Sequence, residues 1–543
     1  PLIGNGSGFI RVMAPPPPLP AQNKGQSPTS GCAGEPVNTS TGNYFYDFTD
    51  LSDPAPGLPM AVTRWYNALD ADQRMGAFGH GITWLYGMSV NWRADKTAEV
   101  IFEDGHIGYF VGTLDPNNPK DMSGVYQPQG KERGVLVRNA NGTATLTQPD
   151  QTVYHFNNWG QLIRISNPYP AEINIIYNGG MVSQLVHSAG ITYTINYTTV
   201  EWYDPFDPFF PFPFTNDYIA SIQSSTGKTV TYTYAVGEWA EANLAQVTRP
   251  DGSTYTYEYD ENHRLTAAYT PNGHAFVRNV YDGQGRVIRQ YDQSGQESVF
   301  TYGAQITGPR VYTDALGNTL THVYDSNYYL IREVDALGHT TIYTRDVAGN
   351  VLARREKDGS IWRYTYDARG NRLTETDPLN NTWLYTYDAR NNLTSQTDPT
   401  GRSWAYEYDA QNRLVRATDP MGHHRAYGYD GKGNLIWERD EIGAETRYAY
   451  NELGLRTVIT DSLGQVTRMA YDTLGNQTVY TDANGNVASF FYDALNRLER
   501  SIDPAGTVIT FTYDAMGNLL TESNGLGQLR HYTYDVHDRI IVE

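Results

Sequence analysis

The 543-residue chain has a single cysteine, Cys32, and only 40 basic side chains against 60 acidic ones. It also lacks any apolar run approaching the ~18 residues expected of a membrane-spanning helix. One cysteine excludes an intramolecular disulfide framework and a cysteine-ligated metal cluster. The formal charge of −20 argues against a nucleic-acid binder, which needs a positive face to displace phosphate counterions. The opening residues, Pro1-Leu2-Ile3-Gly4-Asn5, lack the charged-then-apolar order of a signal peptide. Phenylalanine is sparse, 17 residues against 43 tyrosines, in a chain that is 39% hydrophobic with a mean hydropathy of −0.54. Tyrosine favours strands and half-buried surfaces that keep its hydroxyl wet, so this bias predicts extensive β-sheet with one damp face.

What is present is a repeat. From Tyr366 a tyrosine recurs every 21 residues through Tyr387, Tyr408, Tyr429, Tyr450, Tyr471, Tyr492, Tyr513 and Tyr534. An Asp follows in all but one copy, as Asp367, Asp409, Asp430, Asp472, Asp493 and Asp514 show, and Asn451 is the exception. Three residues further stands Gly, Asn or Asp, as in Gly370, Gly433, Gly475 and Gly517. A second Asp-x-x-Gly keeps the same period, exemplified by Asp398 with Gly401 and Asp419 with Gly422. Asp at the first turn position accepts backbone N–H groups and Gly suits the fourth, so each unit contains two turns joined by strands of about six residues. Alternation within those strands puts Trp362, Tyr364 and Tyr366 on one face and Arg363 and Thr365 on the other. Each unit therefore reads as one β-hairpin of an all-β antiparallel meander.

Degenerate units extend upstream through Tyr259-Asp260 and Tyr281-Asp282, and Arg345-Asp346 keeps phase without the tyrosine. Counted from Tyr259, about 26 strands at ~4.8 Å give a sheet ~125 Å wide, which must curl. Closed as one turn it is ~40 Å across, too wide for side chains to fill, so a hollow object is expected. Four segments follow. Residues 1–34 are an irregular Pro-rich linker or plug, 35–151 a β region without the beat, 152–250 degenerate repeats, and 251–543 the regular array. Residues 204–214 interrupt the third with Phe206, Phe209, Phe210, Phe212 and Phe214 among prolines. Such a segment cannot be an interior strand. It either packs over a sheet edge or contacts cargo or a partner.

The Asp residues recur in every unit, and an active site is usually single, so turn capping is the expected role. No acidic loop has calcium-ligand spacing. His339 and the pair His423-His424 have no metal-ligand companions. Cys32 has no histidine partner to activate it. No catalytic residue, metal or cofactor is assigned.

The unit Tyr408-Asp409-Ala410-Gln411-Asn412-Arg413-Leu414 with Thr418-Asp419-Pro420-Met421-Gly422 resembles the YD repeat of the Rhs family. Gly34-Glu35-Pro36-Val37-Asn38, Arg64-Trp65-Tyr66-Asn67 and Phe78-Gly79-His80-Gly81 resemble the region that opens the bacterial Rhs core. The resemblance implies a spiral β-cocoon that encloses its own C-terminal toxin domain. It also implies manufacture in a bacterial cytoplasm and delivery into competitors, often by type VI secretion with spike and chaperone partners. It implies no membrane span and no enzymatic activity of this segment. The family's aspartyl autoprotease carries Asp-Pro-x-Gly-Leu, whereas here Asp-Pro-x-Gly is followed by Arg402, His423 or Thr507. No PAAR-type tip is recognisable. The start at Pro1 fits either processing or an arbitrary boundary. A competing reading is an extracellular adhesion or carbohydrate-binding array whose exposed Tyr and Trp stack on sugars.

Overall fold

The computed structural model describes residues 32–542 except 35, 56, 114–117, 119, 169–170, 203–213, 237–241, 306, 494–495 and 536–538. Among these residues the only helical pieces are two three-residue 3₁₀ turns, Ala68–Asp70 and Leu85–Gly87. Among the described residues no helix is long and apolar enough to cross a membrane.

The dominant element is a sheet of 41 strands, running from Ser89–Trp92 to Leu529–His531, in which each strand pairs antiparallel with the next along the chain. This is the expected meander. It begins well upstream of the 21-residue beat, because turns between residues 92 and 250 vary in length while the ladder continues unbroken. Pairing closes on itself at the start, where Ser89 bridges Gln161 and the Val90 N–H donates to the Gly160 carbonyl at 2.8 Å. Gly160 is required there: its φ is +80°, and a Cβ would lie 2.0 Å from the Val90 oxygen. Among the described residues no ladder joins the last strand to the first, so the sheet is an open strip.

Bonds between remote turns show how the strip coils. Arg133 donates through Nη2 to the Ala348 carbonyl and to Asn350 Oδ1, the latter at 3.1 Å. Asn391 Nδ2 donates to the Pro149 carbonyl at 3.4 Å, and Asn272 Nδ2 to Asp514 Oδ2 at 3.4 Å. Partners are separated by 215 to 242 residues, which spans 19 to 23 strands. At ~4.8 Å per strand, one coil has a circumference of ~90–110 Å and a diameter of ~30–35 Å. The strip therefore makes nearly two stacked coils instead of the single ~40 Å turn expected from the regular repeats alone. Closure comes sooner because the hairpins before Tyr259 belong to the same wall. The turns at 270–273 lie on the rim opposite to the Tyr-Asp turns, so the seam joins unlike rims of successive coils.

A five-stranded antiparallel sheet lies apart from the strip, in the order Cys32–Ala33, Val37–Asn38, Asn43–Asp53, Met60–Asn67 and Ile82–Trp84. It carries much of the buried apolar core, including Tyr44, Met60 and Val62, and packs on strands of the first coil. Its ion pair is buried: Arg64 Nε meets Asp50 Oδ2 at 2.5 Å and Nη2 meets Oδ1 at 2.8 Å, while the Tyr232 hydroxyl donates to Asp50 at 2.9 Å.

Candidate functional site: the turn code and the concave aromatic face

The repeated Asp caps its turn in a fixed way. Asp409 Oδ1 accepts the N–H groups of Gln411 and Arg413 at 2.9 and 3.0 Å, and its Oδ2 accepts Arg413 Nε at 2.6 Å. Asp367, Asp430, Asp472 and Asp514 accept the same two N–H groups, with Asn371, Asn434, Asn476 and Asn518 as the side-chain clamp. In Asp493 the clamp is Arg497 Nε. On the opposite rim Asp398 does likewise with Thr400 and Arg402, and Asp419 with Met421 and His423. Gly370, Gly401, Gly422, Gly433, Gly475 and Gly517 all have φ between +85° and +93°. This is a type I turn followed by a left-handed residue, which closes a hairpin with a bulge. Asn380, Asn391, Asn412 and Asn496 occupy the same conformation. The capping carboxylates are spread along two rims and do not converge on one site.

The clamp at the fifth turn position and the work of the repeated tyrosine were not read from the sequence. Between units the ladder is short. Arg416, Ala417 and Thr418 pair with Ala426, Arg425 and His424, after which the strands splay. Tyr429 crosses that gap, its hydroxyl donating to the Leu414 carbonyl at 2.9 Å. Tyr450, Tyr471, Tyr492, Tyr513 and Tyr534 each donate to the carbonyl 15 residues earlier. Arg345, in phase where the tyrosine is missing, does the same through Nε to the Leu330 carbonyl at 3.0 Å. The signal available was Leu or another strand residue at a constant spacing before each Tyr.

Which sheet face is concave follows from the small N-terminal sheet. On the aromatic side of the wall, Tyr193 donates to the Met60 carbonyl, and Phe48 packs on Tyr255 at 4.6 Å. Tyr66 packs on Tyr259, and Thr39 bonds to Tyr324 at 2.6 Å. These contacts span 11 consecutive strands, Thr192–Trp202 to Thr319–Tyr324, which laid flat cover ~50 Å. A unit of that size is only ~25 Å across. It touches all of them because they wrap around it, so the Tyr-rich face is the inner one. Burial there pushes the hydroxyls of Tyr66, Tyr232 and Tyr281 well above the usual phenol range.

Beyond residue 340 the inner face continues as Tyr364, Tyr385, Tyr406, Tyr427 and Tyr448, mostly half-buried, while residues such as Arg363, Leu384 and Glu407 face outward and are exposed. The buried core cluster ends at Phe300. The ring of Tyr448 is held by Glu438, and burial with that bond pushes its hydroxyl up to about 12. Of the Phe/Pro insertion, residues 203–213 lie outside the described residues, including Phe206, Phe209, Phe210 and Phe212; Phe214 begins a strand opposite Trp202. Cys32 sits in a strand opposite Asn38, and burial pushes its thiol up.

The architecture is that of a coiled antiparallel strip wrapped on an N-terminal core unit. Residues 355–502 match the Teneurin YD-shell family model, and residues 243–275 and 492–529 the RHS repeat. Residues 34–110 match a model described as a domain of unknown function (DUF6531). These matches place the repeats of this chain in the Rhs/YD-repeat family. Among solved structures, a chain of the Photorhabdus luminescens Tc holotoxin pore is 15% identical with a TM-score of 0.48, over 82% of this chain and 26% of that one. A chain of a TcdB2-TccC3 crystal structure is 12% identical with a TM-score of 0.42, over 91% and 33%. The chain thus spans about a quarter to a third of the length of the solved chains it matches. No curated protein matches it.

Proposed function

We propose that this chain is a non-enzymatic wall segment of a toxin shell, whose concave face encloses a C-terminal toxin domain of the same longer polypeptide. The observation that carries this reading is the inner aromatic face. Over the first coil it is filled by the N-terminal unit, and over the second, from about residue 340, it is half-exposed and uncovered by any described part of the chain. Rings with wet hydroxyls hold a polypeptide without offering it a dry apolar surface on which to complete a competing core. Coiling also leaves few open sheet edges. The match of residues 355–502 to the YD-shell family model is in keeping with this role. Production in a bacterial cytoplasm, release towards competing cells and a type VI spike with its chaperone belong to the same proposal.

The adhesion reading needs the rings on the outer surface, where large glycans reach them. Their concave placement favours enclosure instead. Limited proteolysis of the longer protein tests this: the segment following the wall is expected to resist cleavage while the wall is intact and to be digested once acid or denaturant opens it. Digestion at one rate in both conditions would rule the enclosure out.

A further inference from the structure

Of the 12 histidines in the chain, the three that are buried among the described residues all lie where the N-terminal unit meets the wall. His80, His187 and His322 are each 4% exposed or less. Apolar side chains would fill the same space without a cost for buried polar atoms, so the shared position of these rings calls for a reason. The first belongs to a clasp at the rim. His80 ends the hairpin of Met75–Gly76 with Gly79–His80, whose tip takes the Ile219 N–H of the wall on the Ala77 carbonyl at 2.8 Å. Its ring lies flat on that of His263 in a Tyr-Asp turn of the wall, with centroids 3.8 Å apart and planes at 9°. His80 Nδ1 donates to the Ala71 carbonyl at 2.7 Å, and His263 Nδ1 bonds Asn243 Oδ1 at 3.0 Å. On the segments packed here, Asp70 pairs with Arg74 at 3.6 Å and Asp260 with Arg264 at 2.7 Å, while Asp72 and Glu261 are exposed. Two neutral imidazoles stack at this distance, whereas two imidazolium rings repel.

The second clasp is at the turn 38–42. Thr39 Oγ1 meets His322 Nδ1 at 2.7 Å and the Tyr324 hydroxyl at 2.6 Å, and the Gly42 carbonyl takes the Val287 N–H of the wall at 2.9 Å. On the ladder His322 stands between Arg310 and Glu333, whose Oε2 is 3.4 Å from Nε2. That carboxylate favours the proton on Nε2 and leaves Nδ1 to accept from Thr39, so a further proton on Nδ1 reverses the bond. His187 adds its burial beneath the same unit. Its neighbours Ile173, Ile191 and Leu58 are uncharged, and its Nδ1 accepts the Ala189 N–H at 2.9 Å. Burial holds His322 and His187 below the usual histidine range, in the first case against the pull of Glu333.

We infer that the N-terminal unit is seated on the wall by a pair of acid-sensitive clasps, which release the rim hairpin and the turn 38–42 when their histidines gain protons, while the apolar core and the wall ladders hold. A seated state that binds fewer protons than the released one is fully favoured above the ordinary histidine value of about 6.5 and progressively less below it. Mildly acidic surroundings thus free that end of the first coil without unfolding the wall. The inference concerns the seating of the unit and does not depend on a cargo.

Amide hydrogen exchange of the 543-residue chain tests this at about pH 7.5 and about pH 5.5, corrected for the intrinsic pH dependence of exchange. The Ile219 and Val287 amides report the two clasps, because each is bonded across the interface. Their protection is expected to fall by about tenfold or more at the lower pH, while ladder amides of the same strands keep theirs. Unchanged protection at Ile219 and Val287, or an equal fall in the ladder amides, overturns the inference. A variant then separates the clasps. Asn391 and Asn412 occupy the same left-handed turn position as His263, so His263→Asn removes one ring of the stack without straining the turn. It is expected to remove most of the acid response of Ile219 and to leave that of Val287, and His322→Gln to do the reverse. A response of Ile219 that survives His263→Asn in full would mean that acid acts elsewhere, and would also overturn the inference. Protease protection of a cargo is read separately, so failure of the enclosure reading and failure of the clasps are distinguishable.

Discussion

At the scale of the residue, the repeat is a set of small polar closures, each of which can be removed singly. Asp409→Ala leaves the Gln411 and Arg413 N–H groups and the Arg413 guanidinium without their acceptor, at an expected cost of about 1–2 kcal/mol. Asp409→Asn keeps an oxygen for the two N–H groups and should cost less. Urea unfolding ranks the two, and equal losses would mean that the charge to Arg413 carries the whole effect. Arg345 offers a complementary test, since it stands in for tyrosine over the buried Leu330. Arg345→Tyr restores the repeat and is expected to be close to neutral. Arg345→Ala leaves the Leu330 carbonyl unpaired and should lose about 1–3 kcal/mol by the same measurement. A Tyr variant as weak as the Ala variant would show that the stitch across the splayed strands is not what the position supplies. These partners were only half legible in the sequence. Asp-x-x-Gly has a local mechanism and was readable, whereas a hydroxyl reaching a carbonyl 15 residues back depends on where the neighbouring ladder ends.

At the scale of the element, hairpin length and the alternation of faces were legible because both repeat nine times over in the chain. The β character of the N-terminal region was legible too, but the placement of its sheet was not, since what fixes it are contacts to residues up to 285 positions away. Its buried pair makes the clearest prediction. Arg64→Ala strands the Asp50 carboxylate, which is 4% exposed, beneath Tyr232 and Phe48, with an expected loss of about 3–5 kcal/mol. The double change Arg64→Met with Asp50→Leu removes both charges and is expected to be much milder. Denaturant unfolding of the two variants decides this, and a double variant as unstable as the single one would show that the pair is needed for its hydrogen bonds rather than for charge balance. The same unit reveals the inner face, because a body of its size reaches 11 strands only from the concave side of the wall.

At the scale of the molecule, the two coils are held by different forces, and acid should separate them. The first is wrapped on an apolar core, while the second relies on half-exposed rings and on carboxylate-capped turns. Those carboxyls titrate low. The Lys357 ammonium, with N–H groups of the turn, holds Asp335 down at about 2, and Asp398 is also held at about 2, where bonds from Thr400 and Arg402 outweigh its burial. Asp367, Asp377, Asp388, Asp409, Asp419, Asp482 and Asp503 are lowered as well. A depressed folded value means that the native state binds fewer protons than the unfolded chain. The stabilisation is therefore fully present above the unfolded value of about 3.9 and is lost as pH falls through the folded values towards about 2. Repeat arrays open locally where neighbouring interfaces weaken, so the loss need not be global. Hydrogen exchange between pH 5 and pH 2 is expected to show the strands from residue 340 to 524 losing protection first, with those between 192 and 300 holding longer. Loss in the reverse order, or in one step across both coils, would mean that the seam and not the turn code sets the acid stability of the wall.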